Sequence, residues 1–160
     1  MTDHINYLTH EGKAKLEAEL KERETVLRRE IAERINAAKE LGDISESGEY
    51  EDAKKESGFN EGRIKEIRDI LANHQIIEDD IVDGDIEKIR IGNTVTIRFA
   101  GDTVDEAYRI VGSAESNPAN GMISNESPLG IALIGHKVGD VVSFQGPSNN
   151  TIKCTVRAIK

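Results

Sequence analysis

Residues 1–75 contain no proline and place apolar side chains at steps of three and four along two successive arms. That periodicity is the strongest constraint on what the chain can fold into, because it lines up one face of an α-helix. In the first arm, Leu16, Leu20, Leu27, Ile31, Ile35 and Ala38 form a stripe with one polar gap. Thr9 stands where an N-cap would begin it, with Glu11 in the first turn, where the helix dipole favours an acid. In the second arm, Tyr50, Ala53, Ser57, Asn60, Ile64, Ile67, Leu71 and His74 alternate steps of three and four, a heptad seam. Only Leu41–Ser45 separates the arms, and so short a link makes them antiparallel neighbours. The expectation for residues 1–75 is a two-helix coiled-coil hairpin.

The pattern changes after that point. All three prolines and most of the 14 glycines follow. Thr94–Phe99 alternates, Ala107–Val111, Met122–Ser124 and Val141–Phe144 read as further strands, and Ile152, Cys154, Val156 and Ala158 share one face of Thr151–Ile159. Turn residues punctuate them at Gly101-Asp102, Asn120-Gly121 and Ser148-Asn149-Asn150. Ser127-Pro128 opens a helical turn running to Leu133, with proline in its first position. The fold class is therefore α+β, with a small antiparallel β domain over 86–160 and an acidic connector over 76–85.

Between Lys39 and Lys54 lie six acids and no base: Glu40, Asp43, Glu46, Glu49, Glu51 and Asp52. The hairpin puts them at its tip. Caps and the helix dipole account for some of them, Asp43-x-x-Glu46 being a variant of the capping box. Two tip carboxylates are too few to hold Mg²⁺ alone, since that ion takes six oxygens. They suit a metal whose other ligands come from phosphates and from a partner's carboxylates, and such an ion can activate water for phosphodiester hydrolysis. Lys39 before the turn, with Lys54 and Lys55 after it, suits phosphates on the flanks.

These residues also carry a resemblance. Gly42–Tyr50 (GDISESGEY), Ala53-Lys54 and Gly58–Ile64 (GFNEGRI) resemble the tip signature of the bacterial Gre family of transcript-cleavage and transcription elongation factors, most of all its GreA branch. Tyr7–Gly12 (YLTHEG) with Leu16 and Leu20 resembles that family's amino terminus. Ser127–Gly135 (SPLGIALIG) with Val138-Gly139-Asp140 is similar to its carboxy-terminal motif. Three motifs in the family's order span nearly the whole chain. The resemblance implies an FKBP-like β domain that docks on bacterial RNA polymerase and a coiled coil that enters the secondary channel. It implies Asp43 and Glu46 as the catalytic carboxylates, holding a Mg²⁺ shared with the polymerase active centre, and Lys39 and Lys54 as contacts to the 3′ end of the nascent RNA. Ser127, Pro128, Gly130, Leu133 and Gly135 are implied in polymerase docking. The protein would act in the cytoplasm as a monomer, not as an enzyme by itself but by stimulating the polymerase's own transcript cleavage. The chain departs from the family pattern at Ser47-Gly48, where Asn-Ala is usual, and in having lysine at 39 and 54, where arginine is common; lysine keeps the charge but lacks the planar fork.

Two other functions share parts of this reading. A non-cleaving relative would occupy the polymerase channel and regulate it, and loss or rearrangement of Asp43 or Glu46 would mark it. A free prolyl isomerase would need an aromatic-lined pocket, and Phe99, Tyr108 and Phe144 are the aromatics the β domain has for one. Composition narrows the field further. The net charge of −9 opposes global attraction to nucleic acid, and the absence of tryptophan disfavours base stacking. No apolar run reaches the roughly 18 residues of a membrane span, and no signal peptide is visible at the amino end. The four histidines are scattered and do not pair with Cys154 at zinc-ligand spacing; Cys154 reads as a buried strand residue. The acidic run Asp79–Asp85 fits no EF-hand pattern.

Overall fold

A computed structural model describes residues 4–42, 48–78 and 86–160. The chain forms two compact units, Lys13–Asn73 on the one hand and Met1–Gly12 with His74–Lys160 on the other.

The first unit is the helical hairpin. Its first arm runs through α1 (His10–Glu22), a π-helical stretch (Arg23–Leu27) and α2 (Arg28–Glu40), and α3 (Gly48–Ala72) returns. At 1.5 Å per residue α3 is about 38 Å long. Cross-pairs show the arms antiparallel, because partner numbers fall as the others rise: Glu19 meets Arg63, Arg28 meets Glu61 and Arg34 meets Glu56. The seam is thin. Leu16, Ile31 and Ala38 are buried from the first arm, and Ala53, Ile64 and Ile67 from α3.

The polar gap in the first arm coincides with the π-helical stretch. There the amide of Arg28 donates to the carbonyl of Arg23, one residue further along than in an α-helix. Asn60, 4% exposed, completes the seam at this level. Its Nδ2 donates to that same carbonyl at 3.1 Å, while Arg23 Nη1 donates to its Oδ1 at 3.2 Å. Glu19 lies between two guanidiniums, accepting from Arg23 at 2.8 Å and from Arg63 at 2.9 and 3.1 Å. Arg63, and then Arg23, hold its carboxyl down at about 2.

One sequence expectation changes at the hairpin's root. The seam does not extend to His74, because α3 ends at Ala72 and His74 enters β2 (His74–Ile76). This strand pairs in parallel with β1 (Asn6–Leu8), Tyr7 opposite Gln75. Thr9 is the expected N-cap, its Oγ1 accepting from the amide of Gly12 at 2.9 Å. Glu115 adds a second clasp, accepting from the Thr9 amide at 2.7 Å and from its hydroxyl at 2.5 Å. A Cβ at Gly12 would lie 2.1 Å from the Glu115 carboxyl carbon, so glycine leaves room for this contact.

The second unit is built on a five-stranded sheet ordered β5-β4-β3-β7-β6. Its strands are β3 (Thr94–Phe99), β4 (Glu106–Val111), β5 (Met122–Ser124), β6 (Val141–Gln145) and β7 (Thr151–Ile159), with α4 (Pro128–Leu133) between β5 and β6. Ile89, Val95, Ile97, Ile110, Ile123, Leu133, Val142, Cys154 and Val156 make one buried cluster. Cys154 is 1% exposed, and burial pushes its thiol up.

The sheet is mostly antiparallel, with one exception: β4 and β5 run parallel. Their connection passes through two short 3₁₀ turns, Ser113–Glu115 and Pro118–Asn120, and so is not a hairpin. A second departure lies in β7. Ile97 pairs with Val156 but Thr96 pairs with Ala158, leaving Arg157 as a bulge. The bulge reverses the alternation, so that Ile159 packs on the core rather than Ala158.

Candidate functional site

The structure brings the two flanks of the hairpin turn to its end. On one side α2 finishes with Lys39 and Glu40, followed by Leu41, which is 81% exposed, and by Gly42 at φ +112°. On the other side α3 starts at Gly48, with Glu49 and Glu51 in its first turn. Glu40, Glu49, Glu51 and Asp52 are all exposed, as are Lys39 and Lys54. Lys54 Nζ lies 5.7 Å from the centroid of the Tyr50 ring, within cation–π range. Asp43 and Glu46, the two carboxylates implied as catalytic, lie outside the described residues, as does Ser47.

Among the described residues no group of three or more His, Cys, Asp or Glu side chains converges on a possible metal position. The donor chemistry at the turn is carboxylate oxygen, the type Mg²⁺ takes. Asp43 and Glu46 are the two acids of the turn between the helices, and two carboxylates leave most of the six positions for waters and for ligands from elsewhere.

The five residues implied in docking all belong to the turn, helix and exit around α4, and most have internal work there. Ser127 caps α4: its Oγ accepts from the Gly130 amide at 3.1 Å and donates to the Ser124 carbonyl at 2.7 Å. Pro128 is the first helical residue and is exposed. Gly130 is buried, and a Cβ there would stand 2.1 Å from the Ser124 carbonyl oxygen. Leu133 is completely buried in the core. Gly135 takes φ +86° and donates its amide to the Ile89 carbonyl at 2.9 Å.

What the motif exposes is a different set of side chains. Ile131 is 64% exposed, Val138 56% and Val141 65%, with Ile134 next to them in sequence at 38%. Within α4, Leu129 packs against the core while Ile131 faces out. The sequence carried a faint signal for this, since a six-residue helix cannot bury every side of Leu129, Ile131, Ala132 and Leu133. Beside Ile134 and Gly135 opens a cleft of about 370 Å³, whose other walls are Tyr7, Asn125 and the run Lys88–Ile91. Its one aromatic is Tyr7. Phe99, Tyr108 and Phe144 instead pack against the sheet's core, the Phe99 and Phe144 rings 6.5 Å apart. A hydrogen bond to Glu106 pushes the Tyr108 phenol up to about 12. Phe59, which lies off the seam of α3, is 79% exposed.

Comparisons with known proteins agree across both units. A family model described as "Transcription elongation factor, N-terminal" matches residues 6–76, and one described as "Transcription elongation factor, GreA/GreB, C-term" matches residues 84–160. The chain is 54% identical over 156 residues to transcription elongation factor GreA of Roseiflexus sp. (strain RS-1), covering 98% of each chain. It is 52% identical over 160 residues to GreA of Chloroflexus aggregans, covering all of both. Among solved structures, GreA factor homolog 1 (Gfh1) of Thermus thermophilus is 29% identical over 98% of this chain and 99% of that one, with a TM-score of 0.44.

Proposed function

Because this chain belongs to the GreA/GreB family of transcription elongation factors, we propose that it stimulates Mg²⁺-dependent cleavage of the 3′ RNA by RNA polymerase in backtracked complexes. The coiled coil enters the polymerase secondary channel and carries Asp43 and Glu46 to the active centre. The observation that carries this reading is the hairpin itself: a thin, two-helix arm whose turn bears the acids and is flanked by exposed lysines. Mg²⁺, when held between the tip and the polymerase, supplies the Lewis acidity that activates water. Asp43 and Glu46 provide carboxylate oxygens for it. Lys39 and Lys54 attract the RNA phosphates and orient the 3′ segment. The apolar side chains of Ile131, Val138 and Val141 dock the β unit on the polymerase surface, on a frame set by Ser127, Pro128, Gly130, Leu133 and Gly135. The protein works as a cytoplasmic monomer and performs no hydrolysis in the absence of the polymerase. No described helix is long and apolar enough to cross a membrane.

The test is a stalled, backtracked elongation complex with 3′-labelled RNA and Mg²⁺. Wild type should release short 3′ fragments; Asp43→Asn and Glu46→Gln should abolish release while retaining polymerase binding. Competition with a known channel-binding factor without any release would make the protein a non-cleaving channel regulator. Neither release nor competition would sink the assignment of the partner.

A further inference from the structure

The two arms of the hairpin do not carry the same number of residues through their seam. On α3 the buried residues Ala53, Asn60, Ile64 and Ile67 keep heptad steps. On the first arm Ile31 and Ala38 are one heptad apart, but Leu16 and Ile31 are 15 residues apart, one more than two heptads. In an unbroken α-helix Ile31 would stand one residue past its heptad position, a turn of about 100° about the axis. The π-helical stretch Arg23–Leu27 lies between them and absorbs the extra residue in its wider turn.

Where along the arm that residue is taken up has to be decided by something other than the apolar contacts above and below it. The structure holds the wide turn from both sides. Within the arm, Thr25 Oγ1 donates to the Lys21 carbonyl at 2.7 Å, a local bond of the kind that bends helices. From α3, Asn60 Nδ2 reaches the Arg23 carbonyl at 3.1 Å, the same oxygen that takes the Arg28 amide of the π turn. Arg23 completes the set, donating to Asn60 Oδ1 at 3.2 Å and to Glu19 at 2.8 Å, while Arg63 of α3 donates to that same carboxylate. Moving the wide turn past Arg23 would swing its side chain about 100° away from Asn60 and break these bonds.

We propose that Asn60 is a positioning residue, fixing where the first arm takes up its extra residue and so the rotation at which α2 delivers Lys39 and the acidic turn. An asparagine in a heptad seam costs stability relative to an apolar side chain, and what it specifies is register. Ile64 and Ile67 beside it show that this seam accepts large apolar residues, so burial alone does not require an amide here. Glu115 on Thr9 holds the start of α1, which leaves α2 as the part that turns. The consequence for cleavage rests on the proposed function; the register does not.

The experiment attaches nitroxides to the full-length protein through Ala37→Cys and Asp52→Cys, exposed positions on α2 and α3, and reads their distance by electron paramagnetic resonance. Native Cys154 is 1% exposed and stays unlabelled. With Asn60 present the distance distribution should be single and narrow. Asn60→Leu should hold or raise the thermal midpoint, yet add a population displaced by up to about 8 Å, the chord of a 100° turn on a helix 10–12 Å across. Asn60→Ala, which puts no added bulk into the seam, should broaden the distances in the same way. In stalled, backtracked complexes Asn60→Leu should lower the cleavage rate at saturating protein by about tenfold or more, as a small misplacement does. The protein concentration giving half the effect should not change. With a merely structural amide, the rate would instead follow the midpoint. A single unshifted distance in both variants, or a full cleavage rate in Asn60→Leu, would overturn the proposal. Should wild type fail to cleave, the cleavage reading falls, and the distances alone decide the role of Asn60.

Discussion

The two units are held together by different physics. The β unit closes a nine-residue apolar cluster in which Ile97, Ile110 and Leu133 are completely buried. The hairpin buries few large side chains and relies on charges bridging its arms: Arg28 with Glu61 at 2.6 and 2.8 Å, Arg68 with Glu24, and Glu19 between Arg23 and Arg63. Exposed ion pairs contribute little each, typically under about 1 kcal/mol. A slender arm cannot bury more, because a two-helix layer has only one face to share. The comparison teaches that the hairpin is built without a closed core, while the β unit has one. Under the proposed function, stability and chemistry are separable in this chain.

The sharpest way to test that separation is at the tip. Asp43→Asn should abolish transcript cleavage and leave the thermal midpoint unchanged; a large loss of stability would tie the tip to the fold. Next in size, Leu133→Ala should destabilise the β unit by about 2–5 kcal/mol in chemical denaturation, since it hollows a closed core. In the hairpin the polar level of the seam is tested by Asn60→Ala. That change removes the acceptor of the Arg23 guanidinium and the donor to the π-stretch carbonyl, and should cost about 1–3 kcal/mol. If it equalled the Leu133 effect, the seam would be more core-like than its side chains indicate.

The arms should also differ in acid. Glu19 titrates at about 2 in the folded hairpin against an ordinary 4.5. A depressed carboxyl stabilises the fold above the ordinary value, and that contribution is lost as pH falls from about 4.5 towards 2. Helical circular dichroism should therefore decline over this window, and Glu19→Gln should flatten the decline. The smallest effect belongs to Phe59→Ser. With the ring 79% exposed, the midpoint should move by no more than the equivalent of about 0.5 kcal/mol.

Much of the architecture was legible locally. Met122–Ser124 and Thr151–Ile159 are strands with the bounds their alternation indicates, and Pro128 begins α4 as its fixed φ allows. Thr9 caps α1 because a hydroxyl three residues ahead of an orphan amide is a local device. The resemblance of the tip and of the Ser127–Gly135 motif gave the family, but not which residues of that motif face outwards. Gly130 and Leu133, read from the motif as docking residues, are buried, and the exposed side chains are their neighbours.

By itself, then, the sequence determined the type of each long element, the hairpin and the acidic turn at its end, because periodicity and capping act over a few residues. Only the tertiary structure decided the parallel pairing of β4 with β5, the bulge at Arg157 that swaps Ile159 for Ala158, and the end of α3 at Ala72. It also decided the clasp of Glu115 on Thr9, across more than a hundred residues. The reason is common to all four. Each is settled by which distant backbone or side chain comes to lie opposite, and a strand's alternation or a helix's stripe names the face it buries without naming the partner that covers it.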